Sequence, residues 1–243
     1  MVAPPDNDVL WARGLHHTYA GSPALVGVSL GVREGEILAV TGPRGCGKTT
    51  LLRCLSGQLA PDSGEIWFNS SPVHTLSAAG RERLRLDRFS WVDTEPHLVP
   101  ELTAWENAAL PLLLRGVGHR AAKQTSGEWL DRLDVGMCAR QRPGRLDQSQ
   151  RQRIAIARAL ACAPRVLFAD EPTAPLHRAD AAQVLRAITT AARSHDITVV
   201  LATHEPEAET LADRTVALLD GRRVGTKAPA SDKESRAECS LSV

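Results

Sequence analysis

A glycine-rich loop between an apolar segment and a helical pattern constrains the fold of this chain most. Residues 36–41 are mostly apolar and predict a short buried strand. The loop and helix start that follow are Gly42, Pro43, Arg44, Gly45, Cys46, Gly47, Lys48, Thr49 and Thr50. Glycines let the backbone curl until several N–H groups face one anion, and the start of a helix adds its positive end. The order of strand, loop and helix therefore predicts an α/β fold with a phosphate-binding loop.

The residue types in this loop suit a nucleoside triphosphate. Lys48 can reach the β- and γ-phosphates, and the Thr49 hydroxyl can ligate Mg²⁺. A glycine-rich turn formed by chance is the alternative, and the flanking strand and helix disfavour it. Cys46 is interpreted as a small filler of the loop, or else as a thiol whose alkylation blocks nucleotide binding.

Two further apolar segments end in polar residues of matching chemistry. Residues 165–169 lead into Asp170 and Glu171, and residues 197–202 lead towards His204. The first carboxylate can hold Mg²⁺ through water, and the second can orient or deprotonate an attacking water. His204 could contact the γ-phosphate. An acidic turn and a polar strand cap are the alternatives, which the preceding phosphate loop disfavours.

Composition disfavours several classes of protein. Basic and acidic residues nearly cancel, 29 against 28, so a nucleic-acid partner is not expected. The sequence contains no apolar run of about 18 residues, so we expect no membrane span. The opening residues carry prolines and acids instead of the pattern of a secretory signal. The five cysteines are scattered, which indicates neither a metal site nor a disulfide framework and favours a reducing cytoplasm.

The phosphate loop, the segment 170–173 and the segment 203–205, in that order, resemble the ATP-binding subunit of ABC transporters. The similarity extends over about residues 10–224, and the segment 150–160 looks like the helix that follows the family signature. The resemblance implies a P-loop NTPase core of the RecA-like type, with an antiparallel β subdomain and a helical insert.

The same resemblance implies ATP and Mg²⁺ as the bound groups. Residues 42–50 would surround the phosphates, Thr49 and Asp170 would hold Mg²⁺, and Glu171 and His204 would be catalytic. Tyr19, the only tyrosine, lies where the family has an aromatic residue that stacks on adenine. A tyrosine packed in the core is the alternative for this position.

The chain departs from the family pattern in three places. The signature Leu-Ser-Gly-Gly-Gln is replaced by residues 146–150, in which Asp147 would bring negative charge towards a triphosphate bound by a partner. After the catalytic glutamate the family has a Leu-Asp pair, and this chain has Leu176 and His177 in its place. The position of a conserved glutamine aligns with Thr94, and Asp93 would take that place if the register slipped by one residue.

These departures concern contacts that the family makes across a dimer. We therefore expect this chain to work in an asymmetric dimer, with a homodimer as the less favoured possibility. A partner with an intact signature would then complete the site of this chain. The alternative function is an ATP-binding regulatory subunit with little hydrolysis. A soluble ABC protein of DNA repair or translation would require coiled-coil inserts or tandem domains, which do not fit this length.

The predicted organisation is a single ABC domain over residues 8–226, with a helical subdomain at about 94–163 and a flexible tail at 227–243. Residues 98–116 are similar to the lipoprotein-release and macrolide-efflux branch, in which this region faces the permease. The resemblance thus implies an ATPase subunit that drives a separate transmembrane permease, bound peripherally to the cytoplasmic face of the membrane. Neither the transported molecule nor its direction follows from the sequence.

Overall fold

The computed structural model describes residues 8–227, which form two sheets and seven α-helices. The first sheet has the order β2-β1-β4-β5 and the second the order β10-β9-β3-β8-β7-β6. The strands are β1 (Asp8–Tyr19), β2 (Ser22–Arg33), β3 (Ile37–Thr41), β4 (Ser63–Phe68), β5 (Ser71–Pro72), β6 (Phe89–Val92), β7 (Val166–Asp170), β8 (Thr198–Ala202), β9 (Arg214–Leu219) and β10 (Arg222–Lys227). This arrangement is the predicted α/β core accompanied by an antiparallel sheet.

The first sheet is antiparallel and begins with a hairpin. β1 pairs with β2 on one side and with β4 on the other. The turn between the first two strands consists of Ala20 and Gly21, which both have positive φ, 46° and 87°. Such dihedrals match the twist of a two-residue hairpin connection. Tyr19 is therefore placed at the very end of β1, next to the turn.

The second sheet is parallel except for its edge strand β10, which runs antiparallel to β9. All five residues of β3, β7 and β8 are buried, because this sheet is covered on both faces. Alternate residues of β3 serve different layers: Leu38 and Val40 pack with the first sheet and α1, whereas Ile37 and Ala39 pack with the helices of the other face.

The described residues contain seven α-helices. They are α1 (Lys48–Leu55), α2 (Ala78–Arg88), α3 (Ala104–Leu114), α4 (His119–Arg132), α5 (Gln148–Ala161), α6 (Arg178–Ser194) and α7 (Pro206–Leu211). α3, α4 and α5 pack on one another within the segment expected to be helical. Over residues 8–227 none of these helices has both the length and the apolarity that a membrane span would need.

The C-terminal boundary differs slightly from the predicted one. Lys227, the first residue of the predicted tail, is the last residue of β10 and pairs with Thr215 in β9. Strand pairing therefore continues one residue further than the composition of this region indicated. Residues 228–243, the rest of that predicted tail, lie outside the described residues.

Phe168 lies on β7, next to the edge strand β6 of the second sheet, and belongs to a cluster of aromatic side chains. Its side chain is fully buried on β7, its ring meets Phe89 edge-to-face with centroids 5.4 Å apart, and it stacks against Trp91 at 6.0 Å. Removing this ring would leave a cavity beneath the strand that carries Asp170. We therefore expect Phe168→Ala to lower the free energy of unfolding by about 3–5 kcal/mol, measured by urea denaturation. Val224→Ala, at an exposed site on β10, is the control and should change it by less than about 0.5 kcal/mol.

Candidate functional site

The glycine-rich loop occupies the turn from β3 into α1, where two glycines leave no room for a side chain. Gly42 has φ 145°, and a Cβ there would lie 2.2 Å from the carbonyl oxygen of Leu218. Gly47 has φ 102°, and its Cβ would lie 2.3 Å from the carbonyl oxygen of Ala24. The loop is thus pressed against β9 on one side and against the β1–β2 hairpin on the other.

Main-chain hydrogen bonds hold the loop in this position. The amide of Gly221, in the turn between β9 and β10, donates to the carbonyl of Cys46 at 3.1 Å. The carbonyl of Gly221 in turn accepts from the amide of Val26 on β2 at 2.8 Å. The loop is consequently tied to both sheets through backbone groups alone.

Lys48 is a buried cation with three oxygen partners. Its ammonium group donates to the carbonyls of Gly42 at 2.8 Å and Pro43 at 3.2 Å, and it lies 3.2 Å from Glu171 Oε1. Only 6% of its side chain is exposed. Since burying a charge requires partners, these oxygens compensate for the water that the ammonium group has lost.

Asp170 ends β7 directly behind the loop. Its Oδ1 accepts a hydrogen bond of 3.0 Å from the Thr49 hydroxyl, and its carbonyl accepts one of 3.1 Å from the Thr94 hydroxyl. Burial raises the pKa of the Asp170 carboxyl above its ordinary value; the bond from Thr49 opposes this, whereas the nearby carboxylates of Asp93 and Glu171 add to it. A buried carboxylate beside a hydroxyl is a donor set that suits a hard cation such as Mg²⁺.

Glu171 lies between a lysine and a histidine. Its Oε2 is 2.7 Å from His204 Nδ1, on the opposite side of the carboxyl group from Lys48. Because an ionised carboxylate can only accept, Nδ1 is the donor in this pair. Glu171 also has φ 46°, and its amide donates to the carbonyl of Ala202 at 2.8 Å. The strained residue is thus held in place by the neighbouring strand β8.

These residues border one cavity of about 490 Å³. Its lining consists of Tyr19, Ala24, Arg44, Gly45, Gly47, Lys48, Thr49, Thr50, Thr94, Glu171, Ala174 and His204. Nine of the predicted site residues are therefore brought to a single opening. Tyr19 is 46% exposed there, so the alternative of a tyrosine packed in the core is wrong.

Four predicted site residues do not line the cavity. Gly42 and Pro43 turn their carbonyls to the Lys48 ammonium group. Cys46 is only 4% exposed and packs with the core beneath the first sheet, as the interpretation of a small filler requires. Asp170 lies behind Thr49, which reaches the cavity in its place.

Ala24 and Ala174 line the cavity without having been predicted. Ala24 is brought there by the hairpin that carries Tyr19, and Ala174 follows Glu171 in the turn before α6. Alanine has no chemistry that could signal a site, so only the tertiary arrangement identifies these two positions.

Comparison with known proteins identifies the family. A family model described as "ABC transporter" matches residues 25–174. An uncharacterized ABC transporter ATP-binding protein of Mycobacterium tuberculosis is 42% identical over 201 residues, which are 83% of this chain and 60% of that protein. The lipoprotein-releasing system ATP-binding protein LolD 2 of Caulobacter vibrioides is 39% identical over 217 residues, 88% of this chain and 95% of that protein. The chain belongs to the ABC transporter family. It spans about three fifths of the length of the mycobacterial relative.

Solved structures of this family confirm the predicted fold class. The dimeric ATP-binding cassette MJ0796, in a post-hydrolysis state bound to ADP and Pi, superposes with a TM-score of 0.85 at 28% identity, covering 90% of this chain and 98% of that one. CbiO1 of Clostridium perfringens, part of the ABC transporter complex cbiONQ, superposes at 0.83 and 26% identity, covering 92% and 89%. The resemblance to the lipoprotein-release branch is confirmed by the LolD relatives.

The ABC signature region is helical despite its altered residues. Asp147 is the N-cap of α5: its Oδ1 accepts from the amide of Gln150 at 2.8 Å, and the Gln150 side chain accepts from the amide of Asp147 at 3.1 Å. This reciprocal capping box explains how an aspartate is accommodated at the family's serine position. The capping bonds give a partner to a free amide at the start of α5, and the Asp147 carboxylate remains on an exposed residue.

The other two departures are also placed by the structure. Thr94, not Asp93, reaches the cavity, because Asp93 Oδ1 accepts from the amide of Thr94 at 2.9 Å and its Oδ2 lies 3.8 Å from His97. The alignment without a register slip is therefore the one that the geometry supports. His177 is the exposed N-cap residue of α6 and makes no side-chain capping bond.

The raised pKa of Asp170 predicts a stability that depends on pH. A carboxyl group whose pKa is raised in the folded chain favours folding only while it is protonated, and it opposes folding once it ionises at higher pH. Asp170→Asn should therefore raise the free energy of unfolding of the nucleotide-free chain at pH 7, and this gain should shrink as the pH is lowered through the raised pKa. Urea denaturation at several pH values measures both effects. The exposed Asp87→Asn is the control, and an equal change in both variants would contradict the explanation.

Proposed function

We propose that this chain binds ATP in the 490 Å³ cavity and hydrolyses it to drive a separate membrane permease. The observation that carries the proposal is the convergence of the loop, Glu171 and His204 on one opening. The ADP and Pi bound to the similar cassette MJ0796 support it, because that cassette covers nearly the whole of this chain.

The residues fit a triphosphate and a divalent cation. Residues 42–50 would surround the phosphates. The Lys48 ammonium group is held in position by its hydrogen bonds to the carbonyls of Gly42 and Pro43. A phosphate oxygen could serve as a further partner of this cation in the place of Glu171. Thr49 and Asp170 would hold Mg²⁺, whose role when bound is to neutralise phosphate charge.

Glu171 is the residue proposed to act on the attacking water. Its carboxylate can orient the water and take a proton from it, while His204 and Lys48 fix the positions of the two carboxylate oxygens. His204 would also contact the γ-phosphate. Tyr19, exposed at the rim of the same cavity, would stack on the adenine base.

The altered signature supports an asymmetric dimer with a second ATP-binding subunit. In a head-to-tail dimer Asp147 would lie beside the phosphates bound by the partner. Two like charges about 4 Å apart repel by roughly 4 kcal/mol at an effective dielectric constant of about 20. A partner with an intact signature would complete the site of this chain, whereas the opposite site would remain weak.

A regulatory subunit that binds ATP with little hydrolysis is the second candidate. The charge of Asp147 and the loss of the aspartate at His177 favour it, because both affect contacts across the dimer. The pairing of Glu171 with His204 favours hydrolysis instead. The turnover of the assembled complex distinguishes the two.

The proposed location is the cytoplasmic face of the membrane, where the chain would be held by its permease. Leu86 on α2 and Leu114 on α3 are 43% and 68% exposed, and both border a cleft of about 220 Å³ formed with β6 and α5. An exposed apolar cleft of this kind suits a helix of the permease. With a net charge of +1, the chain is not proposed to bind nucleic acid.

Glu171→Gln tests the role in hydrolysis. Glutamine can still bond to Lys48 but is a much weaker base, so we expect ATP turnover to fall about 100- to 1000-fold while the affinity for ATP is retained. Turnover and affinity are measured for the chain alone and for the complex that co-purifies with it. Glu128→Gln, on the surface of α4, is the matched control. An unchanged rate would remove Glu171 from catalysis.

Asp147→Ser and Asp147→Asn test the dimer. Both residues can cap α5, so the fold is preserved, and both remove the charge. If the charge weakens the homodimer, each variant should raise the turnover of the isolated chain about tenfold, which corresponds to roughly 1.4 kcal/mol. Asp87→Asn should leave it unchanged. A wild-type chain that hydrolyses ATP rapidly on its own, with no gain in either variant, would contradict the asymmetric dimer.

A further inference from the structure

A buried histidine lies directly behind the tyrosine at the rim of the cavity. His17 and Tyr19 are two residues apart on β1, so their side chains share one face of the strand. Their rings meet edge-to-face, with centroids 4.7 Å apart and planes at 81°. The His17 side chain is 9% exposed, whereas Tyr19 is 46% exposed. The histidine thus supports the tyrosine from inside without lining the cavity itself.

Asp62, in the segment before β4, holds this part of β1. Its amide donates to the carbonyl of His16 at 2.9 Å, and its Oδ2 accepts from both the amide and the hydroxyl of Thr18 at 2.8 Å. The remaining carboxylate oxygen, Oδ1, lies 3.3 Å from His17 Nδ1. This buried nitrogen forms no aligned hydrogen bond, so the carboxylate is its nearest compensating group. One aspartate therefore contacts three consecutive residues of the strand.

Tyr19 requires such support because of its position. It ends β1 at the hairpin turn, and nearly half of it faces solvent. A ring that must stack on a base binds more tightly when its orientation is fixed in advance, since less freedom is lost on binding. The turn fixes the backbone of Tyr19, and His17 is the aromatic neighbour that restricts its ring.

We propose that His17, held by Asp62, is a positioning residue that orients Tyr19 for stacking on the purine base of the bound nucleotide. This inference rests on the proposed nucleotide site. It assigns to His17 and Asp62 a role in affinity for the base and none in affinity for the phosphates.

The test compares a ligand that has a base with one that lacks it. ADP and tripolyphosphate are titrated calorimetrically into the wild-type chain and into His17→Ala, Asp62→Ala and Tyr19→Ala, with Mg²⁺ present. We expect His17→Ala and Asp62→Ala to weaken ADP binding about three- to tenfold, the range of an aromatic pair, and to change tripolyphosphate binding by less than about twofold. In the Tyr19→Ala background, His17→Ala should cause no further loss of ADP affinity.

His16→Ala is the matched control, because this neighbouring histidine is exposed on the other face of β1. His17→Phe keeps an aromatic ring against Tyr19 and should restore most of the ADP affinity, which also covers the case that His17→Ala folds poorly. Equal losses for both ligands, or a further loss in the Tyr19→Ala background, would overturn the proposal. If Tyr19→Ala binds ADP as the wild type does, the base site and this inference both fail; if the wild type binds neither ligand, the proposed function itself fails.

Discussion

The parallel pairing of β3, β8 and β7 is the constraint on which the whole site depends. Val40 pairs with Ala202, and Ala202 pairs with Asp170, so the three strands end at the same level. Two backbone bonds extend this alignment beyond the strands, from the amide of Thr203 to Val40 and from the amide of Glu171 to Ala202. The loop, the acidic pair and the histidine belong to segments far apart in sequence, and they meet because parallel strands present their carboxyl ends at one edge.

The ionisable side chains at this edge of the sheet differ in how deeply they are buried. Lys48 and Asp170 are almost fully buried, Glu171 is 16% exposed and His204 is 41% exposed, so polarity increases towards the opening. The buried members are each satisfied by neighbours that the sheet places there, which allows ionisable groups to lie within an otherwise apolar layer. The network joins the acid at the end of β7 to the loop without any contribution from the three helices α3, α4 and α5.

The sequence predicted those parts of the site that depend on local patterns. The phosphate loop, Asp170, Glu171 and His204 each follow an apolar run of strand length, and strand length together with residue order is enough to place them. Ala24 and Ala174 needed the tertiary structure, because nothing in their own segments distinguishes them. The support of Tyr19 by His17 depends on Asp62, which is more than 40 residues away, and no periodicity of a strand or helix connects such positions. The capping role of Asp147 also depends on the structure, which shows that α5 begins at Gln148, whereas the charge of Asp147 is evident from the sequence alone.

That cap has a consequence for how a subunit like this one can arise. Aspartate and serine are nearly equivalent at the start of a helix, so exchanging them leaves the free chain as well folded as before. In the proposed head-to-tail dimer, the exchange would matter only where a second subunit brings its bound phosphates close to residue 147. Such a substitution would not impair the folding of the chain. Natural selection would therefore act on it only through the proposed complex of the two subunits. Division of labour between two duplicated subunits could therefore begin with one substitution that is silent in the monomer.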